Sequence, residues 1–168
     1  AVQRIEQDGG DSTVLTLGPE GAEEQLRDSL ARGVERGILL ETDGTEWDAG
    51  QTAKAIVEVI EARQKAGDGF DLFLFGNEAA DTGDFQVGVR VAYALGLPCV
   101  TGVKAMEIHN GNLVAKREID SGWEIYEVPL PAVITVKEGI NLPRYASLRG
   151  IMKAKKKPVD RLQLGSTG

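Results

Sequence analysis

Short apolar runs alternate with apolar residues at helical spacing through the first hundred positions of the chain. The β-branched and apolar run 12–17 (STVLTL), closed by Gly18 and Pro19, predicts a buried strand leaving for a loop. Leu26, Leu30 and Val34 recur at a four-residue step and predict one apolar stripe on a helix that Gly33 and Gly37 help to end. Ile38, Leu39 and Leu40 form the next strand. In 51–65, Ala53, Ile56, Val57 and Ile60 stand at helical spacing, with Gly67 and Gly69 behind them. The run 71–75 (DLFLF) is a third strand ending at Gly76. Val87, Val91, Ala92 and Leu95 then mark a helix from Asp84, closed by Gly96 and Pro98 before a fourth strand at 99–101. The first ten residues read as the tail of a helix closing on Gly9 and Gly10 with no N-cap, as expected of a chain trimmed upstream.

Strands separated by helical crossovers predict a parallel sheet. The pattern changes after Gly102. Residues 105–109, the Asn110-Gly111 dipeptide and 113–119 carry a hairpin signature, because a two-residue type I′ turn needs residues that tolerate positive φ. Ser121-Gly122 makes a second turn before 123–128, and 132–136 is an apolar strand. The expectation is therefore an α/β fold: a Rossmann-like, doubly wound, mostly parallel sheet with an attached antiparallel ribbon. From Gly139 onward no regular strand is expected. One or two helical turns fall at 148–154, a basic run follows at 153–157, and 159–168 reads as a frayed or truncated tail.

At 168 residues and 42% hydrophobic content, length supports one sizeable α/β core. The formal charge of -7 argues against a nucleic-acid binder, which needs clustered Lys and Arg. Cys99 is the only cysteine, so no internal disulfide or thiolate metal cluster can form, and a reducing compartment, either cytoplasm or mitochondrial matrix, fits best. No stretch approaches the ~20 apolar residues a membrane span needs. The one histidine, His109, reads as a surface residue beside a turn and excludes a His-based triad or a multi-histidine metal site.

Ligands in open α/β sheets bind beyond the carboxyl ends of the strands, which singles out the loop after Phe75. Its small residues, from Gly76 and Asn77 to Gly83, let backbone approach a ligand, and the helix behind it favours phosphate. It is neither a dinucleotide GxGxxG nor a P-loop with its lysine, so the residues by themselves leave a nucleotide site and an ordinary strand-to-helix connection both open. Asp81 and Asp84 form a carboxylate pair of which Asp84 serves better as a helix cap.

The stretch 117–158 (REIDSGWEIYEVPLPAVITVKEGINLPRYASLRGIMKAKKKP) resembles the signature region of electron-transfer flavoprotein β-subunits. Its elements stand in order: Arg117-Glu118 with Gly122, then Leu130-Pro131-Ala132-Val133, then Asn141 with Pro143-Arg144-Tyr145, then Leu148 and the run from Ile151 to Lys157. Upstream, Leu17-Gly18-Pro19, the Gly33 region, the loop at Gly76 and Leu95-Gly96-Leu97-Pro98 fit as well, so the resemblance covers nearly the whole chain.

The resemblance implies an adenine nucleotide α-hydrolase-like fold and an electron carrier rather than an enzyme. Members of that family are heterodimers of an α- and a β-subunit, with a redox-active FAD held mainly by the α-subunit and capped by the β-subunit. The β-subunit adds AMP or, in bifurcating members, a second FAD. By the resemblance, residues 1–136 are the nucleotide-binding domain with its ribbon, and Gly76, Asn77, Ala79, Asp81, Asp84, Phe85, Gln86, Val87 and Gly88 hold the nucleotide, with Leu17 near the same pocket. Phe85-Gln86-Val87 stands where AMP-binding members commonly carry Asn-Gln-Thr, while Gln86-Val87-Gly88 is closer to FAD-holding members, so AMP and a second FAD are both open.

Residues 137–158 resemble the recognition loop and basic segment of the same domain. Asn141, Pro143, Arg144, Tyr145, Leu148, Ile151 and Met152 would dock flavin dehydrogenases such as acyl-CoA dehydrogenases, with Leu148 as anchor. Lys153 and Lys156 match positions that can be methylated, and electrons would pass onward to a quinone oxidoreductase. The family's upstream strand and its C-terminal arm have no counterpart in these residues. The alternative from another class is a stand-alone adenine-nucleotide sensor on the same fold, which would leave the 117–158 signature without a purpose.

Overall fold

The computed structural model describes residues 1–77, 86–142 and 144–164. Along the chain run α1 (Val2–Asp8), β1 (Thr13–Gly18), a 3-10 turn (Glu20–Ala22), α2 (Glu23–Ala31), β2 (Arg36–Glu41), α3 (Ala49–Lys65) and β3 (Leu72–Gly76). They are followed by α4 (Gln86–Leu95), β4 (Cys99–His109), β5 (Asn112–Ile119), β6 (Gly122–Pro129), β7 (Ala132–Val136), α5 (Leu148–Ala154) and β8 (Val159–Gln163). The α/β class, the parallel strands and the antiparallel ribbon expected from the pattern are all present, with the strands divided between two hydrogen-bonded sheets. The chain forms two compact units, Ala1–Trp47 with Pro143–Gly168, and Asp48–Leu142.

The first unit holds a parallel sheet in the order β1-β2-β8. Val14 pairs with Gly37, Leu17 with Leu40, and Leu40 in turn with Leu162. Leu26 and Leu30 of α2 and Ile38, Leu39 and Leu40 of β2 are buried, each worth roughly 1.5–3 kcal/mol relative to exposure. Two details differ from the sequence pattern: Gly37 lies inside β2 rather than at the helix end, and Val34 is buried beyond the last turn of α2.

The larger correction is β8, since residues 159–163, read as part of an irregular tail, form an edge strand parallel to β2. Its alternation is masked because Asp160, Arg161, Leu162 and Gln163 are all exposed, Arg161 reaching outward to Glu20 and Glu23, while Val159 packs against Gly37. It is held instead through its backbone, with Gly37 N–H donating to Pro158 O and Leu164 N–H to Glu41 O.

Helix α5 is seated on α2 by reciprocal capping. Lys157 Nζ donates to Leu30 O (2.8 Å) and Val34 O (2.6 Å) at the end of α2, while Arg27 Nη1 donates to Ala154 O and Lys157 O (both 2.8 Å) at the end of α5. Each cation meets carbonyls that a helix C-terminus leaves without partners. Gly150 permits the close seat, because a Cβ there would fall within contact distance of the Ala31 carbonyl oxygen. Ser147 caps α5, its hydroxyl accepting from Gly150 N–H at 3.0 Å.

The second unit holds a mixed sheet in the order β3-β7-β4-β5-β6. β3, β7 and the first part of β4 are parallel, and β4, β5 and β6 form the antiparallel ribbon. Asn110 and Gly111 both have positive φ, as the hairpin reading requires. The core joins Val100, Val103, Leu113, Ala115, Ala132 and Ile134. Helix α3 starts two residues earlier than its periodicity suggests because Asp48 and Gln51 form a capping box. It buries Ala53, Ala55, Ile56, Val59 and Ile60, so Val59 takes the inward place expected of Val57, which is half-buried.

Exchanging Gly150 for alanine tests the seat of α5. Alanine normally favours a helix by up to ~1 kcal/mol, but here the added methyl meets backbone, and a net destabilisation of about 1–3 kcal/mol is expected. It would appear as a lower Tm and faster amide exchange in α2 and α5.

Candidate functional site

The carboxyl ends of β3 and β7, and the end of the part of β4 that runs parallel to β7, converge on one polar cluster in the second unit. Asn77 follows β3 directly, and its backbone N–H donates to Val136 O at 3.0 Å, extending the β3–β7 ladder into the loop. Thr135 of β7 is 1% exposed, one of the few buried polar residues. Its hydroxyl donates to Asn77 Oδ1 at 2.8 Å and accepts from Gly102 N–H at 2.9 Å.

Gly102 stands just before Val103, where β4 pairs with both β7 and β5, and it lies inside the register shift of the β4–β7 ladder between Val100 and Val103. Its φ of +66° takes its N–H out of the regular ladder, and the Thr135 side chain supplies the replacement acceptor. Arg117 Cδ, Lys137 Cε and Asn77 Oδ1 all lie within 3.8 Å of where a Cβ on Gly102 would stand. These are ordinary contact distances, so it is the positive φ rather than lack of space that calls for glycine there.

Arg117 is fixed by its neighbours. Its Nε donates to Glu124 Oε2 at 2.8 Å, Nη2 donates to Tyr126 Oη at 2.8 Å, and the guanidinium carbon lies 5.2 Å from the Tyr126 ring centroid. The hydrogen bond from Arg117 holds the Glu124 carboxyl below its ordinary range, and hydrogen bonding to Glu124 pushes the Tyr126 hydroxyl up. Lys104 pairs with Glu118 at 2.9 Å and lowers its pKa, with a smaller effect from Lys137. Arg117 and Lys104 are thus largely matched by carboxylates, and the exposed Lys137 adds positive potential at the strand ends.

Of the nucleotide residues expected from sequence, Gly76 is exposed and Asn77 half-buried at this edge. Gln86, Val87 and Gly88 form the first turn of α4. Gln86 Oε1 accepts from Arg90 Nε (3.0 Å) and Nη2 (2.6 Å). Gly88 is buried where a Cβ would press on Phe75 and on the Thr135 methyl, each at 3.1 Å, so its evident task is close packing of helix on sheet. Leu17 is half-buried in β1 of the first unit. Ala79, Asp81, Asp84, Phe85 and Pro143 lie outside the described residues.

The sequence reading missed Thr135, Gly102 and Lys137. The available signals were a hydroxyl residue inside the apolar run of β7 and a glycine interrupting β4.

The donor set here, an amide from Asn77 and an ammonium from Lys137 at a carboxyl edge, fits the oxygen acceptors of a nucleotide. Among the described residues no group of three or more His, Cys, Asp or Glu could hold a metal ion. Burial raises the Cys99 thiol pKa, which disfavours the reactive thiolate. His109 is exposed and bonded to Glu107 at 2.9 Å.

The expected docking residues follow the same logic in the first unit. Tyr145 is 90% exposed, Leu148 83% and Met152 71%, while Ile151 is partly covered. Arg144 makes a two-pronged ion pair with Glu6, both contacts at 2.7 Å. Lys153 and Lys156 are exposed beside them. Asn141, also exposed, belongs to the second unit. A leucine this exposed on a helix anchored from behind contributes nothing to the core of the unit. Among the described residues no helix is long and apolar enough to cross a membrane.

Comparison with known proteins adds the lineage. The electron transfer flavoprotein domain matches residues 1–166. The electron transfer flavoprotein subunit beta of Bacillus subtilis is 39% identical over 166 residues, covering 98% of this chain and 63% of that protein. The protein of the same description from Syntrophomonas wolfei is 44% identical over 146 residues, covering 87% and 56%. That of Mycobacterium bovis is 39% identical over 160 residues, covering 95% and 59%. The chain thus spans about three fifths of the length of these relatives. With a domain match along nearly its whole length, the chain belongs to the electron transfer flavoprotein family.

Proposed function

We propose that this chain is part of the β-subunit of an electron-transfer flavoprotein, a carrier that takes electrons from flavin dehydrogenases, such as acyl-CoA dehydrogenases, and delivers them to a downstream quinone oxidoreductase. It would work as a heterodimer with an α-subunit, in the cytoplasm or a mitochondrial matrix. The observation that carries the reading is Leu148, presented to solvent on a helix whose opposite side is locked by Lys157, Arg27 and Gly150. Relatives described as subunit beta of the same carrier support it.

The physical logic of such a carrier is transient contact. Burying one leucine in an apolar pocket of a partner contributes on the order of 1.5–3 kcal/mol, enough to orient a short-lived complex and too little to make it permanent. Tyr145, Ile151 and Met152 would extend that contact, and the adaptable Met152 side chain suits more than one partner. Lys153 and Lys156 would supply charge at its rim, which methylation would retain while altering the hydrogen bonding.

In the second unit, Asn77 and Lys137 would hold an adenine nucleotide, AMP or a second FAD, together with the loop from Gly76 to Gly88. FAD shared with the α-subunit would supply the one-electron chemistry when bound. The residues of this chain contribute binding, orientation and electrostatics, and none is assigned a catalytic step. Arg117, held by Glu124 and Tyr126, keeps the ribbon firm beside that edge.

Two measurements test this reading. Leu148→Ala should slow electron acceptance from an acyl-CoA dehydrogenase by roughly 10- to 100-fold, the equivalent of one buried leucine, with unchanged flavin content; unaltered transfer rates would remove Leu148 from docking. Extraction of nucleotides from the full-length αβ complex should give either one flavin with AMP or two flavins, and a complex carrying neither AMP nor a second flavin would refute the β-subunit nucleotide site.

A further inference from the structure

We propose that Thr135 is a positioning residue that fixes the hydrogen-bond polarity of Asn77, making its carboxamide a permanent donor toward an anionic, phosphate-bearing ligand at the carboxyl edge of β3. What occupies that edge rests on the nucleotide reading above, whereas the relay itself is a property of the chain alone.

A backbone N–H can only donate, so Gly102 N–H fills an acceptor position on Thr135 Oγ1, at 2.9 Å and out of contact with solvent. The Thr135 hydroxyl must then send its own proton elsewhere, and the acceptor at hand is Asn77 Oδ1 at 2.8 Å. A carboxamide has one oxygen and one NH2 group, so committing the oxygen to Thr135 puts the two N–H donors on the opposite side. The backbone of Asn77 is tied as well, through its N–H to Val136 O. Asn77 therefore cannot turn its amide over without leaving the buried Thr135 hydroxyl unpaired, a costly outcome at a site 1% exposed.

The chain of bonds begins at the positive φ of Gly102 and ends at the first residue after β3, so the bend in β4 is converted into a chosen polarity at the loop. Lys137, exposed and with its Cε 3.6 Å from where a Cβ on Gly102 would stand, brings an ammonium to the same strand edge as the Asn77 carboxamide. Such a pair selects oxygen acceptors, above all phosphate, and disfavours ligand groups that donate.

The test compares Thr135→Val, which keeps the shape and removes the hydroxyl, with Thr135→Ser, which keeps the hydroxyl. In the chain without nucleotide, Thr135→Val should shift or broaden the Asn77 side-chain amide NMR signals, and Thr135→Ser should restore them. Unchanged signals in folded Thr135→Val would overturn the relay. With AMP as the probe, in the full-length αβ complex, Thr135→Val should weaken binding by about tenfold, as expected for one charge-assisted hydrogen bond, and Thr135→Ser by about twofold or less. Adenosine binding should change little in either variant.

In an Asn77→Ala background, Thr135→Val should add no further loss. A fully additive loss would show that Thr135 acts through general packing and would overturn the proposal. If the wild-type complex binds no AMP or second FAD while the Asn77 signals still respond to Thr135→Val, the nucleotide reading fails and the positioning role stands.

Discussion

A polar group removed from water must find a partner inside the protein, and that requirement shapes both candidate surfaces of this chain. In the first unit the carbonyls at the ends of α2 and α5 need donors, and each helix receives a cation from the other's sequence neighbourhood: Lys157 for α2 and Arg27 for α5. In the second unit the bend of β4 at Gly102 removes an N–H from its ladder, and the Thr135 hydroxyl takes it up. Satisfying the first set orients a helix whose outer face carries Leu148 and Met152. Satisfying the second orients the residue that opens the Gly76 loop. The two candidate surfaces are thus the outward ends of networks whose inward ends are closed.

Much of the fold was legible because periodicity reports burial directly. Leu26 and Leu30, the run 38–40 and residues 132–135 of the apolar strand are all buried as their spacing implies. The Asn110-Gly111 turn was legible from conformational preference alone. β8 was not, because an edge strand held by backbone hydrogen bonds leaves little trace in its side chains. The early start of α3 was hidden in the Asp48 and Gln51 side chains, and the exchange of Val57 for Val59 shows how a helix rich in apolar residues leaves its inward face ambiguous by one position.

The candidate site was legible as a place and not as a mechanism. The carboxyl end of β3 could be named from the run ending at Gly76, and the exposure of Leu148 agrees with the role that resemblance gave it. The polar cluster could not be named, since Asn77, Gly102, Thr135 and Lys137 are spread over some sixty positions and meet only when β7 is laid between β3 and β4. Gly88 illustrates the converse. The resemblance gave it to the nucleotide, and the structure adds a packing reason for glycine there in the Phe75 and Thr135 side chains beneath it.

The order of residues in the first unit has a consequence for how the chain is made. Its sheet takes two strands from 13–41 and the third from 159–163, and both helix-end cations act across more than a hundred residues. The second unit is contiguous. During synthesis the contiguous unit has all its partners at hand first, while α2 and β2 wait with one side uncovered until residues 148–163 emerge. The segment that carries Leu148 is thereby also the piece that completes the unit, so this exposed leucine is presented only on a chain that has finished folding there.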